Sequence, residues 1–170
     1  GTGYEKTLLV NSFSKTFAMT GWRIGYICSP NIEAMTQIIK MQYYITACSN
    51  DAMQYAVLTA FDEASTYPEE MAKEFQARRD LICSRLNSMP GVSCHIPNGA
   101  FYVFPKVEVP GMNSQELAIE LLKGGVLSSP GSAFGESGEG HLRFAYTVSR
   151  EDISLGMDKV ESVLKRLRGD

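Results

Sequence analysis

The sequence has few of the residues that build a metal centre or a disulfide framework. It contains two histidines and four cysteines. No two cysteines stand at C-x-x-C spacing, so the usual zinc pattern is missing. Cysteines at this density are typical of reduced thiols in a cytosolic protein. We therefore predict a cytoplasmic location and no bound metal.

An excess of basic residues and long apolar runs are also lacking. Sixteen Lys and Arg against nineteen Asp and Glu give a net charge of −3, so nothing favours binding to a nucleic-acid backbone. No apolar run approaches the roughly 18 residues that a membrane helix needs. We expect neither nucleic acid nor a membrane as a partner. The composition, 44% hydrophobic and 21% charged, excludes collagen, coiled coil and disorder.

Apolar spacing and turn residues predict two short strands, three helices and then a layer of strands and helices. The first part has predicted strands at residues 7–10 and 22–29, and predicted helices at residues 31–44, 50–64 and 68–85. The second part has predicted strands at residues 92–96, 100–104, 126–128 and 141–146, a helix capped by Ser114 and ending at Lys123, and a helix at residues 152–168. This order predicts an α+β layer of about four strands with helices on one face.

The most informative segment is residues 12–25, which read SFSKTFAMTGWRIG. Lys15 lies between hydroxyl residues, and Arg23 follows eight residues later between two glycines. A lysine traps carbonyl groups when an apolar setting or a cationic neighbour favours its neutral amine. Phe13, Phe17 and Met19 are expected to supply that apolar setting.

The hydroxyls of this segment predict an anion site beside the lysine. Ser12, Ser14 and the planar guanidinium of Arg23 together suit a phosphate dianion. A phosphate cup beside an activated lysine describes a site for pyridoxal 5'-phosphate. The open alternative is a solvated loop in which Lys15 and Arg23 have no special role.

The segment resembles the S-x-S-K-x-x-x-x-x-G-x-R-x-G signature of the class I and II aminotransferases, which are fold-type I pyridoxal-phosphate enzymes. Its G-W-R-I-G-Y ending is similar to the aspartate and aromatic aminotransferases of that family. Two later segments also resemble the family: residues 97–102, PNGAFY, and residues 130–135, PGSAFG, the second followed by Leu142-Arg143-Phe144. The resemblance covers residues 10–149, most of the chain.

The resemblance implies roles for individual residues. Lys15 would be the Schiff-base lysine and the acid and base that moves the proton at the substrate's α-carbon. Arg23 would bind the cofactor phosphate, with Ser12 and Ser14 beside it. Arg143 would hold the substrate carboxylate as a bidentate pair. From strand alternation alone, Arg143 could equally be a charged residue on the polar face of a half-buried strand.

The resemblance also implies an architecture, the C-terminal part of an α/β fold-type I transferase. Residues 1–29 would be the tail end of the large cofactor domain, residues 30–66 bridging helices, and residues 67–170 the small α/β domain. The N-terminal cofactor domain would be absent from the chain. A homodimer is expected, as is little or no transamination by the isolated chain.

The function implied is the transfer of an amino group between an aspartate- or aromatic-type amino acid and a 2-oxo acid. Two alternatives share the fold: the sensor domain of a winged-helix transcription regulator, and a pyridoxal-phosphate lyase or synthase. A remote alternative is a serine hydrolase with an S-x-x-K motif at residues 12–15. Such hydrolases also need S-D-N and K-T-G, which residues 49–51 and 123–125 do not match.

Overall fold

The computed structural model describes Tyr4, residues 6–64 and residues 66–169. The chain forms two compact units, Gly1–Met71 and Ala72–Asp170. Both combine helices with short strands, which confirms the predicted mixed α/β class. Residues 1–3, with which the predicted tail of the cofactor domain begins, lie outside the described residues. The predicted division at residues 29 and 66 stays a prediction.

The first unit begins with a β-hairpin. Strands β1 (Leu9–Ser12) and β2 (Gly25–Cys28) pair antiparallel, with Leu9 opposite Cys28 and Ser12 opposite Gly25. The first strand therefore runs two residues beyond its predicted end. The connection, predicted as a loop, contains the short helix α1 (Phe13–Thr16) and a 3₁₀ turn at Thr20–Trp22.

Two helices complete this unit, and each begins at an asparagine. Helix α2 (Ile32–Thr46) starts after Asn31, whose side chain accepts from the N–H of Ala34 at 2.9 Å. Helix α3 (Asp51–Glu63) starts after Asn50, whose side chain accepts from the N–H of Met53. These caps confirm the predicted helix starts, because asparagine satisfies backbone donors that a helix leaves unpaired.

The core of the first unit is small. Its central cluster of buried residues is Phe13, Ile24 and Val57, and Ala60 of α3 is also buried. Both strands of the hairpin are exposed to solvent along their length, and so are many apolar side chains of α2. These are Ile32, Ile39, Met41, Tyr43, Tyr44 and Ile45. A two-stranded hairpin with so little burial draws little stability from its own packing.

The second unit contains short antiparallel ladders between three helices. The helices are α4 (Tyr67–Asn87), which begins before the unit boundary, α5 (Ser114–Lys123) and α6 (Arg150–Arg168). The strands are β3 (Val92–Ser93), β4 (Tyr102–Val103), β5 (Lys106–Val107), β6 (Ser129–Pro130) and β7 (Leu142–Ala145). Three of the strands form a sheet with the order β4-β7-β6, and β3 pairs with β5 in a second, two-stranded sheet.

The predicted strand at residues 126–128 is wrong, because the end of α5 extends into it. The N–H of Val126 donates to the carbonyl of Leu121, and the N–H of Gly125 donates to that of Leu122, both at 2.9 Å. With Gly125 at φ = 83°, this is a Schellman motif, which binds the last carbonyls of a helix. The chain enters its strand only at Ser129.

The start of α5 also differs from the prediction, since Asn113 rather than Ser114 is the N-cap. Asn113 accepts from the N–H groups of Gln115 and Glu116, and the Glu116 carboxylate accepts from the N–H of Asn113 at 3.0 Å. This reciprocal pair is a capping box. Ser114 is buried and bonds to Glu139 instead.

The second unit has the larger hydrophobic core. Strand β7 turns Leu142 and Phe144 into that core, and Tyr146 beyond its end is also buried. Side chains from the helices close over them. They include Ile82, Leu86, Leu121, Val160 and Leu164. Arg143 therefore lies on the opposite face of the strand, because successive side chains of a strand alternate. None of the described helices is long and apolar enough to cross a membrane.

We expect two of the four thiols to react in the folded chain. Cys28 and Cys48 are exposed, whereas Cys83 and Cys94 are buried with their sulfurs 3.9 Å apart. Burial raises the pKa of both buried thiols, and raises that of Cys94 to about 12. At pH 8 these two sulfurs are protonated and shielded, so a thiol reagent should label only the exposed pair until denaturant is added. Equal labelling rates at all four positions would contradict this packing.

Candidate active site

The predicted hydroxyl residues lie together at the end of the hairpin where the connection between β1 and β2 begins. Ser12 ends β1 and caps α1, because its Oγ accepts from the N–H of Ser14 at 3.1 Å. The Oγ atoms of Ser12 and Ser14 are themselves 2.9 Å apart. Lys15 follows directly on α1 and is exposed. The cap therefore fixes two hydroxyls beside the amine-bearing residue.

Three apolar residues of the segment belong to the core of the first unit, and the apolar setting expected for Lys15 stays a prediction. Phe13 is buried and packs with Ile24, and Phe17 and Met19 are partly buried against the same cluster. Lys15 itself is exposed to solvent. These side chains are core residues here, because the first unit has few other apolar groups in its interior.

Arg23 lies beside the paired end of the hairpin. The N–H of Phe13 donates to the carbonyl of Ile24 at 3.3 Å, so Arg23 immediately precedes a residue that contacts α1. Its Nη1 donates to the carbonyl of Thr20 at 2.8 Å. Arg23 has φ = 55°, a left-handed conformation that costs a residue with a side chain about 1–3 kcal/mol and is concentrated at functional sites.

Gly25 permits the close approach of the two strands. A Cβ atom on Gly25 would lie 2.5 Å from the carbonyl oxygen of Asn11, a distance at which the backbone must move. Only glycine allows this contact without displacing β1. The glycine in the motif thus has a structural role, since it sets the pairing that brings Ser12 next to Ile24.

A groove of about 470 Å³ lies between the hairpin and α2, but it is not centred on the lysine. Arg23, Asn11 and Tyr26 line one side, and Gln42 and Tyr43 line the other. Its lining includes Gly25, which stands opposite Ser12, but not Ser12, Ser14 or Lys15.

Arg143, the predicted carboxylate ligand, belongs to the second unit. It lies on β7 opposite Ser129 of β6, and its Nη2 donates to Ser129 Oγ at 3.3 Å. The side chain is half-buried. The neighbouring Leu142 and Phe144 fill the core, so the strand supports Arg143 rigidly from behind.

Two aromatic residues contact Arg143, and neither is among the predicted site residues. The guanidinium carbon lies 4.4 Å from the ring centroid of Tyr102 and 4.6 Å from that of Phe134. Phe134 belongs to the PGSAFG segment, so the family motif could have indicated that this residue lies near the site. Tyr102 stands opposite Ala145, two residues from Arg143 on the same face of β7, but strand pairing could not be deduced from the sequence.

The loop that carries Phe134 is fixed by two glycines and a carboxylate. Cβ atoms on Gly131 and Gly138 would each lie about 2 Å from the other residue's carbonyl oxygen, so the backbones touch. The Glu139 carboxylate accepts from the N–H groups of Gly140 and Ser114 and from the Ser114 hydroxyl. These hydrogen bonds, that of Gly140 foremost, hold the pKa of Glu139 below its ordinary value.

Comparison with known proteins identifies the family. The profile of aminotransferase class I and II matches residues 2–160. The chain therefore belongs to the class I and II aminotransferase family, as its motifs predicted.

Individual relatives agree with this assignment. The aspartate aminotransferase of Pyrococcus abyssi is 42% identical over 167 residues, and the aromatic-amino-acid aminotransferase 2 of Thermococcus litoralis is 39% identical over 165. Each alignment covers 95% of this chain and 42% of the relative. The crystal structure of an aromatic aminotransferase from Pyrococcus horikoshii superposes with a TM-score of 0.89 at 42% identity, covering 95% of this chain and 44% of that one. The chain thus spans less than half the length of these relatives.

Gly25→Ala should weaken the hairpin, since its methyl group meets the Asn11 carbonyl. We expect a loss of about 1–3 kcal/mol in the stability of the first unit, the usual cost of overpacking. Trp22, the single tryptophan, reports this unit in a denaturant titration followed by fluorescence.

Gly21→Ala is the matched control, because a Cβ there would meet no atom within 4 Å. Equal midpoints for the two variants would contradict the role given to the Gly25 contact.

Proposed function

We propose that the complete protein is a pyridoxal-phosphate-dependent aminotransferase. It transfers an amino group between an aspartate- or aromatic-type amino acid and a 2-oxo acid. The observation that carries this proposal is the position of Lys15 beside the Ser12–Ser14 hydroxyl pair, on a loop that returns through Arg23. Family membership and the similarity to aspartate and aromatic aminotransferases support amino-group transfer.

The residues present fit the phosphate of this cofactor. The Ser12 and Ser14 hydroxyls lie 2.9 Å apart, and the Arg23 guanidinium uses Nη1 on a backbone carbonyl while keeping other N–H groups as donors. Residues 12–25 contain two basic residues and no Asp or Glu. Neutral and cationic donors without a nearby carboxylate in the segment suit a dianionic ligand.

Lys15 is assigned two tasks. Its ε-amino group would hold the cofactor covalently, and, when released, would move the proton at the substrate's α-carbon. Bound pyridoxal phosphate supplies the electron sink for that deprotonation. Lys15 is an exposed residue of α1.

Arg143 is assigned the α-carboxylate of both substrates. A guanidinium presents parallel N–H groups that match a carboxylate in a bidentate pair. Arg143 is half-buried and leaves the sheet on the face away from the hydrophobic core. It binds the group that all α-amino acids share, so side-chain selectivity must come from other residues.

The remaining parts of the site are proposed to lie outside this sequence. The chain spans 42% of the length of its relatives, so groups on the cofactor ring and the side-chain pocket are assigned to the rest of the protein. A homodimer and a cytoplasmic location remain predictions.

The test is amino-group transfer by the complete protein. We expect turnover of aspartate or phenylalanine with 2-oxoglutarate in the wild type. Lys15→Ala should lower kcat by about 10²–10⁴-fold, the usual contribution of a general acid and base, or more where covalent binding is also lost. Product amino acid is measured by chromatography.

Lys40→Ala is the matched control, since Lys40 is another exposed lysine of the first unit, on α2. It should leave turnover unchanged. An active wild type that lost nothing in Lys15→Ala would contradict the role of Lys15, and a folded wild type without transfer for any amino acid would contradict the proposed function.

A further inference from the structure

Arg143 contacts two aromatic rings and one hydroxyl. The guanidinium carbon lies over the Tyr102 ring at 4.4 Å and over the Phe134 ring at 4.6 Å from the centroids. Both distances fall well inside the range of about 6 Å for a cation–π contact. One N–H group donates to Ser129 Oγ. Both rings thus lie in contact with the guanidinium group.

Strand register holds Tyr102 and Ser129 on either side of Arg143. Strand β7 is the central strand of its three-stranded sheet, with β4 on one edge and β6 on the other. Ser129 is directly opposite Arg143, and Tyr102 is opposite Ala145, two residues further along. Residues two apart on a strand share a face, and diagonal neighbours reach each other with long side chains.

Phe134 contacts Arg143 from the glycine-rich loop, residues 130–140, and its ring has further contacts of its own. Its ring meets Phe104 edge-on at 5.8 Å, and Phe104 stacks on His141 at 5.1 Å. The backbone contact of Gly131 with Gly138 fixes the loop beneath it. Phe134 nevertheless remains 52% exposed. Burial of a side chain that is half exposed contributes little to stability. Burial therefore does not account for the position of the Phe134 ring, whereas its contact with Arg143 does.

The N–H groups of a guanidinium lie along the edge of its plane. A ring stacked on the face of that plane therefore leaves these groups able to donate hydrogen bonds. An arginine side chain loses rotational freedom when it binds a ligand, and this loss weakens affinity. The N–H groups of a guanidinium already share one plane. Contact with the rings removes part of the rotational freedom before the ligand arrives and fixes the orientation of that plane toward a bidentate carboxylate.

We propose that Tyr102 and Phe134 form an aromatic clamp that orients Arg143 for the carboxylates of the amino acid and the 2-oxo acid. Phe134 is then a positioning residue for substrate binding. This inference rests on the proposed function, because it takes Arg143 as the carboxylate ligand.

The kinetic test uses Phe134→Leu in the complete holoenzyme. Loss of one cation–π contact should raise KM for both substrates by about 3- to 5-fold and leave kcat within about twofold. Phe134→Tyr keeps the ring and should restore KM. Leu155→Ala removes a similarly exposed apolar side chain, 55% exposed on α6, and should change neither constant.

The structural test uses the 170-residue chain and does not depend on activity. The δ protons of Arg143 should be shifted upfield in the NMR spectrum by the two ring currents. Phe134→Leu should remove part of that shift, and Phe134→Tyr should keep it.

The outcomes separate the clamp from the function. An active wild type whose KM is unchanged by Phe134→Leu would overturn the clamp alone, as would a raised KM that Phe134→Tyr does not restore. Absence of the upfield shift in the wild type would also overturn it. A wild-type holoenzyme that transfers no amino group would instead fail the proposed function.

Discussion

The pairing of β1 with β2 is the constraint on which the candidate cofactor loop depends. The register places Ser12 opposite Gly25, and the absent Cβ of Gly25 lets the strands meet at the Asn11 carbonyl. The same pairing continues from Phe13 to Ile24, so the ends of the Lys15 loop are held together. The backbone of the segment that carries Ser12, Ser14, Lys15 and Arg23 is thereby held at one end of the hairpin. The positions of these residues follow from backbone contacts, which is why a loop with exposed side chains can hold a defined arrangement.

In the second unit, a charged side chain lies on a strand that is packed against the hydrophobic core. Strand β7 alternates strictly: Leu142 and Phe144 are buried in the core, and Arg143 between them faces away. Burial of the two apolar residues stabilises the strand, whereas the arginine can be changed at little cost to that core. The two faces of this strand thus differ: one is packed into the core, and the other carries Arg143. Phe134, from the loop of residues 130–140, contacts Arg143 on that second face.

Much of this organisation could be predicted, because it depends on interactions between residues that are close together in the sequence. The asparagine caps of α2 and α3, the glycine end of α5 and the spacing of Lys15 and Arg23 are short-range signals, and the family motifs predicted the assignment of the chain. Contacts between distant segments could not be predicted. The sequence does not show that Ser114 bonds to Glu139, which leaves Asn113 as the cap, or that Tyr102 and Phe134 meet Arg143. Spacing alone also does not show that Phe13, Phe17 and Met19 pack into the small core of the first unit.

The most direct test of the account is chemical trapping of pyridoxal 5'-phosphate on the 170-residue chain. After titration and borohydride reduction, mass spectrometry should find a saturable adduct on Lys15, which Lys15→Ala abolishes. Pyridoxal without its phosphate should label this lysine more weakly, because Ser12, Ser14 and Arg23 would have no anion to bind. The contrary result is an adduct spread over the surface lysines, equal in wild type and Lys15→Ala and indifferent to the phosphate. It would mean that the serine and arginine side chains form no phosphate cup around Lys15.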